Sequence, residues 1–519
     1  MARFKDYSYE QGKLIPITYR EQILPDTFEY ALNHIIDNEI ALSVFESKYK
    51  NDETGAPAFD PAILLKIILF AYSKGITSSR KIAQCCTENV VFMALSADTQ
   101  PHFTTIASFI SSMEKQITSI FRDVLLICTS ENLIGKNMFA VDGCKISSNC
   151  SKEWSGTRSG FKKKKEKLEK SIKFLIKKHM HLDLNSNDSL ELEQMKKEKK
   201  AIEKLSAKAR KIKKWLQENR DKKGKRDKPI QSNITDNESA KMTSSHGVIQ
   251  GYNGIAAVDD KHQVVVHAQA EGSGNETDML IPMTGGIRDN FKEINESEDV
   301  FEEAQLTADS GFHSEDNMKM LDKEEIDGYV ADNKFRKRDP RFDNVDKHKN
   351  NSLRIDRNNR GKKYFTPSDF NFDTKSKRLF CPAGKEMKIK CPNFQSGPGG
   401  YTGVSYRGDR ENCLNCDLRN KCIRNKDTAV RQVAILDKSI KGRKGQYTQK
   451  MIDKFDSLRG REIYSKRMGT VEPVFGNIRS ALRLDRFTLR GKIKVNIQWN
   501  LFCIVHNIGK IFRYGYAIA

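Results

Sequence analysis

Two short apolar runs that each end in a single aspartate constrain the fold of this chain more than any other feature. The first, MFAVDG, ends at Asp142, and the second, AQLTADSG, ends at Asp309. A short apolar run followed by a glycine turn is typical of a buried strand, and buried strands occur in sheets covered by helices. A carboxylate just past such a strand is held in place yet stays accessible. The sequence therefore predicts buried strands with acidic groups at the ends of two of them.

Residues 1–130 are predicted to form a helical domain that precedes this core. From residue 24 onward apolar residues recur at three- and four-residue intervals, and Pro61 stands near a helix start. A later helix start places hydroxyl groups beside Arg80 and Lys81, where backbone amides also favour phosphate. We expect this domain to bind DNA and these two cations to contact phosphate. The alternative is an ordinary capped surface helix.

Composition and periodicity divide the rest of the chain into five segments. Residues 161–230 are rich in lysine and glutamate with apolar residues at helical intervals, which predicts an inserted helical hairpin. Its lysines either follow DNA phosphates or form a solvated face. Residues 335–365 and 394–412 are polar and predicted to be loops. The predicted segments are core residues 131–160 with the first aspartate, the insertion 161–230, core residues 231–333 with a β-hairpin and the second aspartate, a Cys-rich insertion 334–440, and C-terminal core helices in 441–519.

The charge balance indicates a polyanionic partner. Ninety Lys and Arg residues against 68 Asp and Glu residues give a formal net charge of +22, which favours phosphate contacts and counterion release. The alternative is a basic surface that maintains solubility. The N-terminal residues MARFKDYSYEQGKLIP carry charges where a signal peptide needs an apolar core, and no stretch reaches the ~18 apolar residues of a membrane span. We expect a cytoplasmic protein, nucleoid-associated when bound to DNA, with no membrane partner.

A cluster of cysteines in the insertion 334–440 has the spacing of a metal site. Cys413 and Cys416 form a C-x-x-C pair, Cys422 follows, and Cys381 begins the sequence CPAG. Four thiolates are a common ligand set for structural zinc. Cys391 could replace Cys381 because spacing alone does not choose between them. The remaining alternative is a set of free thiols.

A third carboxylate, Glu472, opens a helix-like segment in GTVEPVFGNIR. Three converging carboxylates repel one another unless cations intervene. Two divalent ions would neutralise them and could activate a water or a 3′-hydroxyl for attack on a phosphodiester. Arg479 lies seven residues beyond Glu472, two helical turns along one face, where it could hold a phosphate or only pair on the surface. Taken singly, each acid could equally be a turn or cap residue.

The order of these motifs resembles that of bacterial insertion-sequence transposases of the DDE type, most closely the eleven-eighty-two-like group related to the IS-five and IS-four groups. The resemblance rests on FAVDGCKISSN, QGYNGIAAVD, LTADSGF and YSKRMGTVEPVFGNIR, with further segments SNITDNESAKM, LRLDRFTLRGKIKVNIQWNLFCIVHNIGK and GITSSRKIAQCCTENVVFMALS. It implies a mixed α/β fold with an RNase H-like catalytic core, a mixed sheet flanked by helices, in which Asp142, Asp309 and Glu472 hold two Mg²⁺ or Mn²⁺ ions.

The family's motif around the third acid is Tyr, two residues, Arg, three residues, Glu, six residues, Lys. Here it reads Tyr464, Arg467, Glu472 and Arg479, with four residues before the glutamate and arginine in place of lysine. The resemblance thus implies that Tyr464, Arg467 and Arg479 contact DNA. The departure in spacing leaves the roles of the first two open.

The resemblance implies an enzyme that binds the terminal inverted repeats of its element, cuts their ends and joins the 3′-hydroxyl groups to target DNA. It also implies a homodimer in the synaptic complex that holds both ends. Two alternatives stay open: a transposase-derived DNA-binding protein that does not cut, and a stand-alone RNase H-like nuclease.

Overall fold

The structure, a computed structural model, is a mixed α/β protein, as predicted. It describes residues 18–49, 57–180, 189–224, 229–244, 247–294, 299–342, 354–355, 363–373, 376–396, 401–425, 427–436 and 446–515. Contacts divide the chain into two compact units. The larger unit comprises Met1–Phe312, Lys323–Tyr329 and Glu462–Ala519, and the smaller unit comprises His313–Asp322 and Val330–Arg461.

The larger unit begins with six helices. The second starts at Pro61, and the Asp60 carboxylate caps it by accepting a hydrogen bond of 2.8 Å from the Ala62 amide. This helix is apolar around most of its circumference and buried, and its Tyr72 ring lies 4.8 Å from that of Phe502 near the C-terminus. The helices are α1 Phe28–Asn38, α2 Pro61–Ser73, α3 Ser79–Glu88, α4 Val90–Leu95, α5 Phe103–Ser112 and α6 Glu114–Ser130.

A six-stranded sheet forms the core of the larger unit. Its strands are β1 Met138–Ser147, β2 Ala240–Ser244, β3 Gly247–Asp259, β4 Val265–Glu271, β5 Gln305–Ala308 and β6 Asp327–Val330. The order is β6-β5-β1-β3-β2, and β4 pairs with β3 beside β2. Strand β1 is antiparallel to β3 and parallel to β5. The segment predicted as a β-hairpin forms the antiparallel pair β3 and β4.

Two long helices follow the first strand, where the sequence predicts a helical hairpin. They are α7 Arg158–Met180 and α8 Ser189–Glu218. Phe161 on α7 packs against Ile212 and Trp215 on α8, and the rings of Phe161 and Trp215 lie 4.8 Å apart. The apolar residues at helical intervals therefore form a small core of their own, while most of the lysines are exposed.

The C-terminal region is less continuously helical than predicted. Helix α12 spans Leu458–Gly476, a π-helical turn spans Asn477–Ala481, and α13 spans Lys492–Tyr514. Residues between the last two are not helical because Phe487 donates its amide hydrogen to the Ser147 carbonyl at 2.9 Å and extends the end of β1. Glu472 was expected to open a helix but lies near the end of α12. Proline is common at helix starts, but here α12 continues through Pro473.

The smaller unit contains a five-stranded antiparallel sheet. Its strands, in sheet order, are β7 Asn371–Asp373, β8 Arg378–Phe380, β9 Glu386–Ser396, β10 Tyr401–Arg407 and β11 Gln432–Leu436. Leu379, Met387, Tyr406, Val433 and Ile435 form its buried core. The prediction of loops over 394–412 was therefore wrong for β10, whose Tyr406 is buried among polar neighbours that hide the strand pattern.

The structure also contains three longer helices and several short elements. The remaining helices of at least nine residues are α9 Leu280–Glu293, α10 Glu315–Lys323 and α11 Gln446–Asp456. The short elements are helices Phe335–Arg338, Arg410–Leu414 and Arg419–Cys422, 3₁₀ turns Tyr19–Gln22, Leu42–Lys48, Lys152–Trp154, Ser310–Phe312, Pro340–Phe342 and Pro367–Asp369, and two-residue strands Ser155–Gly156, Lys222–Lys223, Pro229–Ile230, Ser232–Asn233, Arg354–Ile355 and Lys363–Tyr364. Within the described ranges, no helix combines the length and the apolar character needed to span a membrane.

Candidate active site

The sheet register brings the two aspartates side by side. Val141 on β1 pairs with Ala308 on the parallel strand β5, so the next residues, Asp142 and Asp309, lie next to each other. Neighbouring strands are about 4.8 Å apart. Each carboxylate also accepts a hydrogen bond from the amide of the following residue, at 2.8 Å for Asp142 and 2.6 Å for Asp309. The two acids therefore share one local geometry at one edge of the sheet.

Helix α12 adds the third carboxylate to the same place. Val471 and Val474 are fully buried, whereas Glu472 is exposed and Phe475 is half-buried. Asp142, Asp309, Glu472 and Arg479 line one cavity of about 660 Å³. Arg479 lies in the π-helical turn, and its positive charge opposes the rise that burial causes in the pKa of the Cys144 thiol. π-helical turns occur frequently at functional sites.

Arg467 lies against the first aspartate. Its Nη1 is 2.5 Å from Asp142 Oδ2, and the two side chains are 9% and 19% exposed. Burial raises the pKa of Asp142, Arg467 and the Gly143 amide lower it, and Asp309 raises it further, with a net upward shift. Burial also raises the pKa of Tyr464 to about 12, and the Arg467 guanidinium lies 5.4 Å from the Tyr464 ring. The buried Arg467 thus contacts both Asp142 and the half-buried Tyr464.

A fourth carboxylate, Glu276, was missed by the sequence analysis. It lines the cavity, and its Oε1 accepts a hydrogen bond of 3.0 Å from Asn253 on β3. A Cβ at Gly143 would lie 2.9 Å from this Oε1, and a Cβ at Gly311 would lie closer still to Oε2. Both glycines beside the aspartates therefore leave room for the Glu276 carboxylate. Burial raises the pKa of Glu276, with smaller upward contributions from Asp142 and Asp309.

No sequence signal singled out Glu276. Glu271 and Asp278 stand within a few positions of it, and only the fold shows which acid reaches the cavity. Gly143 and Gly311 were the best available indication that another side chain packs here, because each closely follows one of the two aspartates.

The proline in α12 is accommodated by a side chain from the β3–β4 turn. Pro473 has no amide hydrogen, so the Gly469 carbonyl one turn earlier lacks its helical donor. Gln263 Nε2 donates to that carbonyl at 3.0 Å, and Gln263 Oε1 accepts from Lys510 at 3.1 Å. Gln263 itself has a positive φ of 61°. The turn therefore supports the helix three residues before Glu472.

His506 supports the same helix on the other side of Glu472. Burial lowers the pKa of His506 to about 4, so its ring is neutral. Its Nε2 lies 2.9 Å from the Gln263 carbonyl and must carry the hydrogen, which leaves Nδ1 to accept from Asn477 at 2.9 Å. Gln263 and His506 together link α13, the β3–β4 turn and both ends of the segment that carries Glu472.

We expect Gln263→Glu to weaken this support. The substitution keeps the size of the side chain and an acceptor for Lys510 but replaces the donor to Gly469 with a carboxylate. Loss of the hydrogen bond at a carbonyl that has no helical donor should lower the free energy of unfolding by about 1–2 kcal/mol. Urea denaturation measures the effect, with Gln217→Glu on the exposed face of α8 as the matched control. Equal stability of both variants would contradict this role.

The other predicted cations lie on the N-terminal helices. Arg80 and Lys81 are exposed in the first turn of α3. The Arg80 guanidinium lies 4.8 Å from the centre of the Phe103 ring, and Lys81 donates to Gln84 at 3.2 Å. Neither residue lines the acidic cavity. Their contact with DNA stays a prediction.

Four of the cysteines surround a second, small cavity in the smaller unit. Cys381, Cys413, Cys416 and Cys422 line a cavity of about 40 Å³, whereas Cys391 is not among its lining residues. Cys391 lies in β9 opposite Ser405. The CPAG turn folds back so that the Lys385 amide donates to Cys381 Sγ at 3.4 Å, and Gly384 adopts the positive φ of 73° that this turn needs. Of Cys381 and Cys391, the two alternatives for the fourth ligand, Cys381 is the one that lines this cavity.

Among the residues that the structure describes, no group of three or more His, Cys, Asp or Glu side chains is arranged so that it could hold a metal ion. At the acidic cavity one reason is visible, since Arg467 occupies an oxygen of Asp142. The donor types nevertheless suit metals: carboxylate oxygens suit Mg²⁺ and Mn²⁺, and thiolates suit zinc.

Comparison with known families identifies the chain. A family model described as "Transposase DDE domain" matches residues 380–512, and one described as "Transposase domain (DUF772)" matches residues 18–112. Both regions are thus transposase domains, and the protein is a transposase. More narrowly, the two matches are those of a DDE transposase of an insertion sequence, a class of DNA-processing enzyme that generally uses divalent metal ions such as Mg²⁺. No curated protein and no solved structure matches the chain. Its particular insertion-sequence group stays a prediction.

Proposed function

We propose that this transposase binds the terminal inverted repeats of its element, cuts the DNA at their ends and joins the freed 3′-hydroxyl groups to target DNA. The observation that carries the proposal is the convergence of Asp142, Asp309 and Glu472 on one cavity, from two adjacent strands and a helix. The sheet order supports an RNase H-like core, since three antiparallel strands are followed by parallel pairing of β1 with β5. A homodimer that holds two DNA ends is part of the proposal.

Asp142, Asp309 and Glu472 would hold two Mg²⁺ or Mn²⁺ ions. When bound, such ions activate the attacking oxygen and stabilise the leaving oxygen of a phosphodiester. The donor set fits, because acidic groups crowd the cavity and the pKa of Asp142 is raised by burial and by Asp309. That crowding is a repulsion which a cation relieves. Metal binding would require Arg467 to yield the Asp142 oxygen that it now contacts.

The chain's own residues divide the remaining tasks. Arg479 lines the cavity beside Glu472 and is placed to bind a phosphate oxygen. Tyr464 and Arg467 lie behind Asp142 and orient it rather than line the cavity. Glu276 sits between the loops that follow the two aspartates and fixes their spacing through contact with Gly143 and Gly311. These roles account for the positions of Arg467 beside Asp142 and of Arg479 beside Glu472.

The test uses a supercoiled plasmid that carries the DNA flanking the coding region of this protein. Incubation with Mg²⁺ or Mn²⁺ should produce cuts at the element ends together with joined products. Cuts without joined products would instead support a stand-alone nuclease. Binding without cuts, unaffected by Asp142→Asn, would support a DNA-binding protein derived from a transposase. Either result would overturn the proposed function.

We also propose a structural zinc ion bound by Cys381, Cys413, Cys416 and Cys422. The support is that all four thiols line one cavity, with Cys413 and Cys422 on short helices and Cys381 on a tight turn. The Gly408 backbone lies directly against Cys413 Sγ, where a Cβ would not fit. An amide hydrogen bond to sulfur, as at Cys381, favours the thiolate that a metal needs.

Elemental analysis of the purified protein should find close to one zinc per chain. Cys413→Ser and Cys381→Ser should each remove most of it, because three thiolates bind zinc much more weakly than four. Cys391→Ser is the matched control and should retain the metal. The zinc proposal would be contradicted by wild-type protein without zinc, or by equal loss in the Cys391 variant.

A further inference from the structure

A third cavity adjoins the acidic cavity and is lined by cationic side chains. We call it the basic groove and define it by Ser147, Lys152, Trp154, Lys211, Arg486 and Arg490. Its volume is about 630 Å³, and Ser147 and Ile249 line both this groove and the acidic cavity. A molecule that enters the acidic cavity can therefore extend into the groove without leaving the surface.

The groove has a strong charge asymmetry. Four cationic side chains line it and no Asp or Glu does, within the part of the chain that the structure describes. Among the described residues, no carboxylate lies within ion-pair distance of Lys152, Lys211 or Arg486. Arg490 Nε donates a hydrogen bond of 2.8 Å to the Asn149 carbonyl. Cations that the protein leaves without anions are available to an anionic ligand.

Three separate segments hold these cations in place. The bridge between Ser147 and Arg486 fixes the 486–490 segment beside the end of β1, the strand of Asp142. Lys211 comes from α8 of the helical insertion, and its Nζ lies 2.8 Å from Thr235 Oγ1 and 5.2 Å from the centre of the Trp154 ring. The insertion thereby contributes to a surface that starts at the catalytic carboxylates.

The groups in the groove suit phosphates rather than bases. Asn149 Nδ2 donates to the Thr488 carbonyl, and Gln250 bonds Ser155 and Ser239, so both amides that could read base edges are already used. Trp154 already contacts Lys164 as well as Lys211, at 4.7 Å and 5.2 Å. Its ring is thus occupied by lysines and does not offer a platform for base stacking.

We infer that the basic groove binds the sugar-phosphate backbone of the DNA on one side of the scissile phosphate, without reading its sequence. This inference rests on the proposed function for the position of that phosphate. Asp142 and Ser147 are five residues apart on β1, or about 17 Å. Successive phosphates of one DNA strand are about 3.4 Å apart along the helix axis. The groove therefore meets the DNA backbone about five nucleotides from the cut.

The test is the salt dependence of binding to a labelled 40-base-pair duplex of arbitrary sequence, without divalent metal. The variant Lys211→Gln/Arg486→Gln removes two cations that have no carboxylate partner. Each lost phosphate contact should reduce the slope of log K against log salt concentration by about 0.9, or about 1.8 for two. Affinity at 0.1 M salt should fall at least about tenfold, equally for a duplex of unrelated sequence.

The matched control is Lys115→Gln/Lys292→Gln, which removes the same charge from exposed positions on α6 and α9. It should leave the slope unchanged. An unchanged slope in the groove variant, an equal decrease in the control, or a loss confined to one sequence would each overturn the inference. Plasmid cleavage by the wild-type protein, measured separately with Mg²⁺ or Mn²⁺, distinguishes the two proposals. A retained groove effect without cleavage by the wild-type protein would refute only the proposed function.

Discussion

Glu472→Gln is expected to reduce metal-dependent DNA cleavage by at least ~10³-fold while DNA affinity stays within about twofold of wild type. The reason is that metal ions contribute several kcal/mol of transition-state stabilisation, and each 1.36 kcal/mol corresponds to a factor of ten in rate. The amide keeps the shape of the side chain but loses the charge that would bind the ion. Cleavage of the plasmid substrate and duplex binding measure the two quantities in parallel.

Glu462→Gln provides the matched control for this prediction. It makes the same chemical change on the same helix, at an exposed position that does not line the acidic cavity. We expect wild-type cleavage from it. Substantial cleavage by the Glu472 variant would remove this residue from the metal-binding set and leave Glu276 as the candidate third ligand.

Arg467→Met is expected to destabilise the fold by about 2–3 kcal/mol at pH 8. Removing one partner of a buried ion pair leaves the other charge unpaired, at a cost of about 3–5 kcal/mol, which the partial exposure of Asp142 reduces. Urea denaturation at fixed pH measures this difference. Arg459→Met, at an exposed position on the same helix, should change stability by less than about 0.5 kcal/mol.

The effect of Arg467→Met should also depend on pH. The pKa of Asp142 is already raised in the folded protein, mainly by burial, and loss of the guanidinium raises it further. An acid whose folded pKa lies above its unfolded pKa binds more protons when folded, so stability declines as pH rises through the folded value. The variant should therefore lose less stability at pH 5 than at pH 8. A larger loss at pH 5 would contradict this account.

The sequence was most informative where chemistry and local pattern coincide. Asp142 and Asp309 could be located because each ends an apolar run, and a short strand has few alternatives there. Glu472 was found through resemblance, yet its place in the helix was misjudged, because Pro473 imitates a helix start unless the donor from Gln263 is known. A contact between residues so far apart in sequence leaves no local pattern.

The residues that support the site depended on the fold for the same reason. Glu276 is one of several acids in its segment, and only the packing against Gly143 and Gly311 distinguishes it. Cys381 and Cys391 have equivalent spacing and both precede proline, and only the CPAG turn places one of them at the cavity. Sequence periodicity describes single elements, whereas these choices depend on how distant elements pack.

The order of the three carboxylates along the chain has a consequence for synthesis in the cell. A ribosome makes both aspartates long before it makes Glu472, and the helix whose His506 and Lys510 support Glu472 follows later still. Domains fold as they emerge, beginning from the N-terminus. A chain that is released before Glu472 is made would therefore carry both aspartates but lack the third carboxylate of the acidic cavity.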